Sequence, residues 1–575
     1  MLHRTHLSGS GLIHLLLFLL CFFSAADYGT AAEISGTVLN RHGTPLDQAT
    51  VRVQGTAITS MTDASGRFRL TGLESFVPVT ITAWKYGYYS VMNEKLIPPA
   101  SGINITLRRY HLHDTGSYNW IPPAGNHPES CDKCHHKALM EHSLQDPHMN
   151  SARNPRFLTV YFGTDTQGNK NPLRRLKKGS GAWAMTNVPT PYDANENHYG
   201  PGFQTDQTGS AGNCSGCHLP GVSVKHNVSP ENLIGMDGKN AAKRGADAFG
   251  IHCDFCHKVA AVKLDPVTRL PFPGVTGVHA MEVLRPTGKK GHEYEQIFFG
   301  PYDDPNSSTS TKLPVLSQSQ FCAPCHRGQF WGKMIYNSYG EWLESPYGKE
   351  GGPQFKTCQQ CHMPSPVIWE GRVMTNSAPG KGGIERPPST FRSHRMTIDR
   401  EILANSLTMT ANVRQESGRL LVDVELYNDK TGHHIPTDSP LRHLILHIEA
   451  KDASGKVLNQ LSGPVLPDWT GSSGRVKAVR AFSGRPGKAF AKLLKGVWTE
   501  EFPTADYWND FEIVSDNRIA AFARDKSSYT FEPPGRGKAR IGVSLYYRRA
   551  YYQLMEWKKW DDPDILMARE EIVLP

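Results

Sequence analysis

Ten of the eleven cysteines in this 575-residue chain follow one pattern, CxxCH, in which two residues separate a cysteine pair and histidine comes next. The copies are Cys131/Cys134/His135, Cys214/Cys217/His218, Cys253/Cys256/His257, Cys322/Cys325/His326 and Cys358/Cys361/His362. Two thiols at this spacing can bond to the two vinyl groups of one porphyrin. The histidine that follows is then carried beneath the ring plane, where its imidazole can bind the iron from the proximal side. Zinc is the main rival, since zinc ribbons combine CxxC units into four-sulfur sites. Five units do not pair evenly, however, and a ribbon gives the recurring histidine no role. A disulfide framework would not space every cysteine in this way either. The pattern therefore predicts five covalently bound c-type haems.

Each such iron has a sixth position, and histidines are in ample supply to fill it. The first distal candidate is His148, in "DPHMNSARNP". His252 directly precedes Cys253; it cannot readily cap its own haem but could reach a neighbouring one. His394, in "FRSHRM", closes the motif region, and His279 and His226 come next. His127, His142, His292 and His433 stand in reserve. Met149 and Met363 are aimed poorly by their adjacency to His148 and His362.

The elements that must hold these groups read as a multidomain protein. Residues 1–32 form an expected secretory leader: Arg4, the apolar run Leu12–Phe23 ("LIHLLLFLLCFF"), then small residues, with cleavage after Ala26 or, preferably, Ala32. The run is too short for a spanning helix, so an uncleaved anchor is the weaker reading. Cys21 lies in this run among bulky side chains, a poor setting for lipidation. No second long apolar segment occurs, so the mature chain is expected to be exported without a transmembrane segment, to the periplasm or to the cell surface or medium. The formal charge is +9. Ten haem propionates would bring it to roughly −1, and the Lys and Arg surplus reads as their partners rather than as a nucleic-acid surface.

Residues 33–108 alternate apolar and polar side chains between Gly, Pro and Asp turns, and predict a β-sandwich. Residues 109–395 carry the motifs at uneven separations, with long Gly- and Pro-rich loops and short helical pieces such as "ALMEHSL" and "MIYNSYGEWLES". Loops of that length argue against an ordinary packed core; here porphyrins would themselves form the core. Beyond "APGKGGIERPPST", residues 396–575 alternate strictly in "RLLVDVELYND", "RHLILHIEAKDASGKVL" and "KARIGVSLYYRR". They predict a C-terminal β-sandwich with a helical tail at "AYYQLMEWKKW".

"SGTV", "GTPLDQATV", "TDASGRFRLTGL" and "GYY" make the first module similar to the carboxypeptidase regulatory-like, transthyretin-like family. That resemblance implies a non-catalytic accessory domain. "HMNSARNPRF", "GIHCDFCHKV", "FFGPYDD", "SQFCAPCHRGQFWG" and "EWLESPYGKEGGPQFKTCQQCHMP" resemble exported multihaem c-type cytochromes, broadly the hydroxylamine oxidoreductase-related group. "TGHHIPTDSPLRHL" and "YWNDFEIVSDNRIAAF" resemble a β-sandwich that often follows such cytochromes. That module's pattern has Gly after Pro-Thr, where this chain has Asp438. Enzymes of the group carry more haems and an open iron site, and no motif here marks one.

Three functions follow from these features. The first is electron transfer through five haems, mostly bis-histidine ligated, between redox partners such as other cytochromes. The second is an oxidoreductase with one open haem acting on a small nitrogen or sulfur compound. The third is a surface protein in which the haems are passengers. No catalytic residue is assigned. Self-association is a further candidate, because surplus histidines could cap a neighbouring copy's haem.

Overall fold

The computed structural model describes residues 32–170, 173–174, 198–199, 201–206, 212–224, 246, 249–286, 296–396, 398–471, 480–497, 499 and 501–574. Cys21, His226, His292 and the leader's apolar run lie outside them. The chain divides into two compact units.

The first unit is built on seven strands: β1 (Ala32–Asn40), β2 (Thr50–Val53), β3 (Thr59–Met61), β4 (Arg67–Leu73), β5 (Val79–Trp84), β6 (Val91–Leu96) and β7 (Ala100–Leu107). They form two sheets, ordered β4-β1-β7 and β3-β2-β5-β6. In β4 the alternation buries Phe68 and Leu70 and exposes Arg67, Arg69 and Thr71. Successive side chains on a strand point to opposite faces, so this is the expected result of the pattern. Ile34 and Val38 from one sheet and Val51, Ile81 and Ala83 from the other share one buried core. Strands β1 and β7 run parallel. Gly36 permits their close approach, because a Cβ there would lie 2.0 Å from the Ile103 carbonyl oxygen.

Two later segments, 296–313 and 382–386, pack into this unit. Asp303 pairs with Arg52 at 2.9 Å, Asp304 pairs with Arg386 at 2.7 Å, and Trp84 Nε1 donates to Thr311 Oγ1 at 3.1 Å. The stretch "FFGPYDD" supplies these two aspartates.

The second unit holds the five motifs and the C-terminal sheets. Its motif region contains α1 (Lys137–Gln145), α2 (Pro155–Phe162) and α3 (Ser338–Glu344), together with shorter helical turns and two-stranded pairings. "ALMEHSL" is helical as expected; "MIYNSYGEWLES" is a short strand, Lys333–Tyr336, followed by α3. Apolar clusters here are small: Ala152, Leu219 and Val222 form one, and Ala323, Tyr339 and Trp342 another.

The C-terminal part has β8 (Thr408–Glu416), β9 (Arg419–Tyr427), β10 (His443–Lys451), β11 (Gln460–Ser462), β12 (Gly487–Phe490), β13 (Arg524–Phe531), β14 (Ala539–Arg548) and β15 (Ile565–Leu574). These make two four-stranded sheets, ordered β8-β9-β13-β11 and β12-β10-β14-β15. Leu420, Val422, Leu446, Ile448, Phe531 and Val543 meet in their shared core. Helix α4 (Tyr552–Lys558) lies where "AYYQLMEWKKW" predicts it. The chain does not end as a helical tail, however. The terminal β15 pairs antiparallel with β14, from Ala539↔Leu574 to Tyr547↔Ile565. "ILMAREEIVL" is apolar at both ends around Arg569–Glu571 and follows no clear period, so pairing along β14 rather than local pattern makes it a strand. Among the described residues, no helix is long and apolar enough to cross a membrane.

Candidate functional site

All five CxxCH motifs adopt one local structure, a single helical turn. The histidine N–H donates to the carbonyl of the first cysteine at 3.0 Å in His135, His218 and His257 and at 3.1 Å in His326. The fifth motif is the helix Cys358–His362 itself. Residues three and four apart share a helix face, so the turn brings both thiols and the imidazole to one side. The fifth turn is set by a capping box from Thr357 and Gln360. In the third, the His252 Nδ1 accepts from the Phe255 N–H at 3.2 Å.

None of the ten motif cysteines is in a disulfide. Several thiols from different motifs lie within hydrogen-bonding reach: Cys131 with Cys253, Cys217 with Cys325, and Cys322 with Cys358. Cys256 is an electrostatic neighbour of both Cys322 and Cys325. The motifs thus converge out of chain order: the first meets the third, and the fourth meets the second, third and fifth.

Two pairs of imidazoles lie close together, one edge-on at 60° and the other near-parallel at 15°. The His148 and His326 ring centres are 6.1 Å apart, and those of His362 and His433 are 6.2 Å apart. A metal-bound imidazole nitrogen lies roughly 2 Å from the metal and about 1 Å from its own ring centre. Two axial imidazoles on one iron therefore have centres roughly 6 Å apart. Both pairs join a motif histidine to a histidine from elsewhere in the chain. His148 was the first distal candidate from sequence; His433 was only in reserve. Among the described residues, no three His, Cys, Asp or Glu side chains converge as a site for a bare metal ion. Paired imidazoles beside paired thiols suit a porphyrin, which supplies the four in-plane nitrogens itself.

The remaining candidates are placed as follows. His394 is an electrostatic neighbour of His257 and His135, and its Nδ1 lies 3.1 Å from the Arg392 carbonyl oxygen. His252 is buried, its ring edge-on to Trp120 at 5.2 Å, and it serves as the helix cap described above. His279 is exposed and packs against the second motif turn at Gly216. His142 lies 3.1 Å from Ser393 Oγ, and the His127 Nδ1 accepts from the Glu129 N–H. Met149 is buried behind His148. His218 stacks face to face on Phe157, with ring centres 4.0 Å apart.

Burial pushes His218, His362 and His394 down to about 4. At neutral pH these imidazoles keep the free lone pair that a metal requires. His326 differs: burial pushes it down, but the Asp438 carboxylate, 2.8 Å from its Nδ1, outweighs this and the net shift is upward. Asp146 stands in the same relation to the neighbouring ring, 2.9 Å from the His148 Nδ1.

Sequence reading missed these two carboxylates. It also missed Glu341, whose Oε2 accepts from the His434 N–H at 3.0 Å and from Thr437 Oγ1 at 2.8 Å. Glu341 also pairs with Arg518 at 3.0 Å, which ties the loop carrying His433 to α3. Another omission was the buried pair Lys258–Asp254, at 2.7 Å beside His257. The Asp254 carboxylate also accepts from the Tyr118 hydroxyl and the Ile121 N–H, each at 2.8 Å. A departure from pattern, Asp438 where Gly was expected, was the one available signal.

Comparison with known proteins adds fold and one family. Residues 33–108 match the carboxypeptidase regulatory-like domain family. No curated protein matches the chain. Among solved structures, the chain is similar to a penta-heme cytochrome c552 from Thermochromatium tepidum, with 17% identity, a TM-score of 0.50, and coverage of 77% of this chain and 97% of that one. A cohesin–X-dockerin complex from Acetivibrio cellulolyticus matches at 17% identity over 14% of this chain and 58% of that one, with a TM-score of 0.13. A PapD-like domain of human CEP192 matches at 11% identity over 31% of this chain and 87% of that one, with a TM-score of 0.12. This chain is therefore a multidomain protein with a carboxypeptidase regulatory-like N-terminal domain, C-terminal β-sheets and structural likeness to a penta-heme cytochrome c.

Proposed function

We propose that this protein binds five c-type haems covalently and carries electrons between redox partners outside the cytoplasm. The observation that carries this reading is the two close pairs of imidazoles, with ring centres 6.1 and 6.2 Å apart, each including the histidine of a CxxCH turn. The thiols of each motif would hold one porphyrin, with His135, His218, His257, His326 and His362 on the proximal side. His148 would be the distal ligand opposite His326, His433 opposite His362, and His394 opposite His257. When bound, haem supplies reversible one-electron exchange at iron. The chain's part is to fix both axial positions, bury the rings and bring neighbouring motifs into contact. The close approach of thiols from different motifs supports direct passage from centre to centre.

The leader, the thioether chemistry and the regulatory-like domain together support location in the periplasm or at the cell surface. Other cytochromes are the proposed partners, and the flanking β domains would dock them or a second copy. Relation to the hydroxylamine oxidoreductase-related group is part of this proposal and rests on the shared stretches quoted above.

One observation favours a second reading, an oxidoreductase with an open iron at the first motif. A cavity of about 420 Å³ borders Cys134 and His135 and is lined also by Lys133, Lys137, Trp369 and Arg372. Its three cationic side chains would suit haem propionates or an anionic substrate. Low-temperature EPR of the oxidised protein, with haem counted by pyridine haemochrome, separates the readings. Five haems with only low-spin signals support the relay. One high-spin centre among five would support the oxidoreductase and sink the relay as a complete account.

A further inference from the structure

We propose that Asp438 and Asp146 are positioning residues that make the fourth-motif haem harder to reduce. The inference rests on the haem reading above and concerns the potential of one site. The His326 Nδ1 is 2.8 Å from Asp438 Oδ2, and the His148 Nδ1 is 2.9 Å from Asp146 Oδ1. The two rings are 6.1 Å apart. With a carboxylate on Nδ1, each ring keeps its proton there and is left with Nε2 as its metal-binding atom. A carboxylate also draws on that proton and raises the donor strength of the opposite nitrogen. A stronger donor on both axial positions favours ferric over ferrous iron, and the two nearby negative charges act in the same direction.

The distal histidines proposed for the fifth and third motifs meet backbone carbonyls instead. The His433 Nδ1 lies 2.9 Å from the His434 carbonyl oxygen, and the His394 Nδ1 lies 3.1 Å from that of Arg392. Both acceptors are neutral, so their pull on the ring proton is weaker.

Both carboxylates are held in place. Ser338 Oγ donates to Asp438 Oδ1 at 2.6 Å. Asp438 itself sits at φ +60°, a left-handed conformation that favours glycine and that aspartate adopts more readily than most residues. Asp146 is 2% exposed and also accepts from the backbone N–H groups of His148, at 2.8 Å, and Met396. The position where the chain departs from its expected Gly is thus the one that places a carboxylate on a motif histidine.

The test uses the full haem-loaded protein and its variants Asp438→Asn, Asp146→Asn and the double variant. Asp438→Gly is the second form at that position, because glycine fits the backbone there. Each is titrated by optical spectroelectrochemistry, with EPR on poised samples to follow individual centres. The expected result is an upward shift centred on one and the same haem in each single variant and a larger one in the double. The other four move less, the fifth-motif haem through Asp438 beside His362 and the third-motif haem through Asp146 beside His394. Both single variants must move the same centre although they lie far apart in the chain, a coincidence that general loosening would not produce. Five haems with unmoved potentials in the double variant, or largest shifts at two different centres, would overturn the proposal and leave the relay standing. Failure of the haemochrome assay to find covalent haem would overturn both.

Discussion

The C-terminal sheets and the motif region solve the same problem with different material. In the sheets, β10 alone buries Leu444, Ile445, Leu446, Ile448 and Ala450, and the opposing sheet answers with Leu420, Val422 and Phe531. Burial of that kind stabilises by about 25 cal/mol per Å² of apolar surface and requires nothing beyond the chain. Among the described residues, the motif region gathers its apolar side chains in smaller groups, such as Ala152, Leu219 and Val222. What converges there instead is thiols, imidazoles and carboxylates. A region of that composition depends on what its polar groups bind, whereas the sheets depend on what their apolar groups exclude.

Removing the binding groups of one motif is the strongest way to break this contrast. A Cys322→Ser/Cys325→Ser variant should lose a fifth of the haemochrome signal and make residues 113–395 susceptible to limited proteolysis, while the C-terminal sheets stay resistant. Equal loss of both regions would show that they do not differ in this way. Next in size is the sheet core. Phe531 is fully buried, and Phe531→Ala should cost about 3–5 kcal/mol in denaturant unfolding with haem content unchanged.

A comparable effect is expected in the motif region from a polar pair. Lys258→Met leaves the Asp254 carboxylate buried without its ion-pair partner. That should cost about 3–5 kcal/mol, read by the same denaturant titration. The last prediction concerns the sheets in acid. Burial pushes His443 down to about 3 and His447 to about 4, both on β10. The unfolded chain protonates these rings near pH 6.5, whereas the folded chain resists to about 3 and 4. Stability of the sheets should therefore be level above pH 6.5 and fall as pH drops from 6.5 toward 3. His443→Gln should flatten that acid limb in thermal melts monitored by far-UV circular dichroism.

The sequence was most legible where one short-range rule decides the outcome. Alternation marked β9, β10 and β14, and the CxxCH turn needs only its own backbone hydrogen bond. Likewise, "DASG" forms the turn closed by the Lys451↔Val457 bridge. Legibility ended where partners are far apart in the chain. His433 could be ranked only as a reserve candidate, because nothing near it in sequence shows that it will stack against His362. Asp438 and Asp146 were invisible as a matched set for the same reason. The return of residues 296–313 to the first unit depends on pairs such as Arg52–Asp303, which no periodicity records. His252, conspicuous from its place beside a motif, caps that motif's own turn through its Nδ1, a contact its sequence position alone did not reveal.

The paired thiols join the first motif to the third, and the fourth to both the second and the fifth, with Cys256 of the third an electrostatic neighbour of the fourth. The fourth motif therefore has three other motifs around it, and a change at its turn is felt more widely than one at the first.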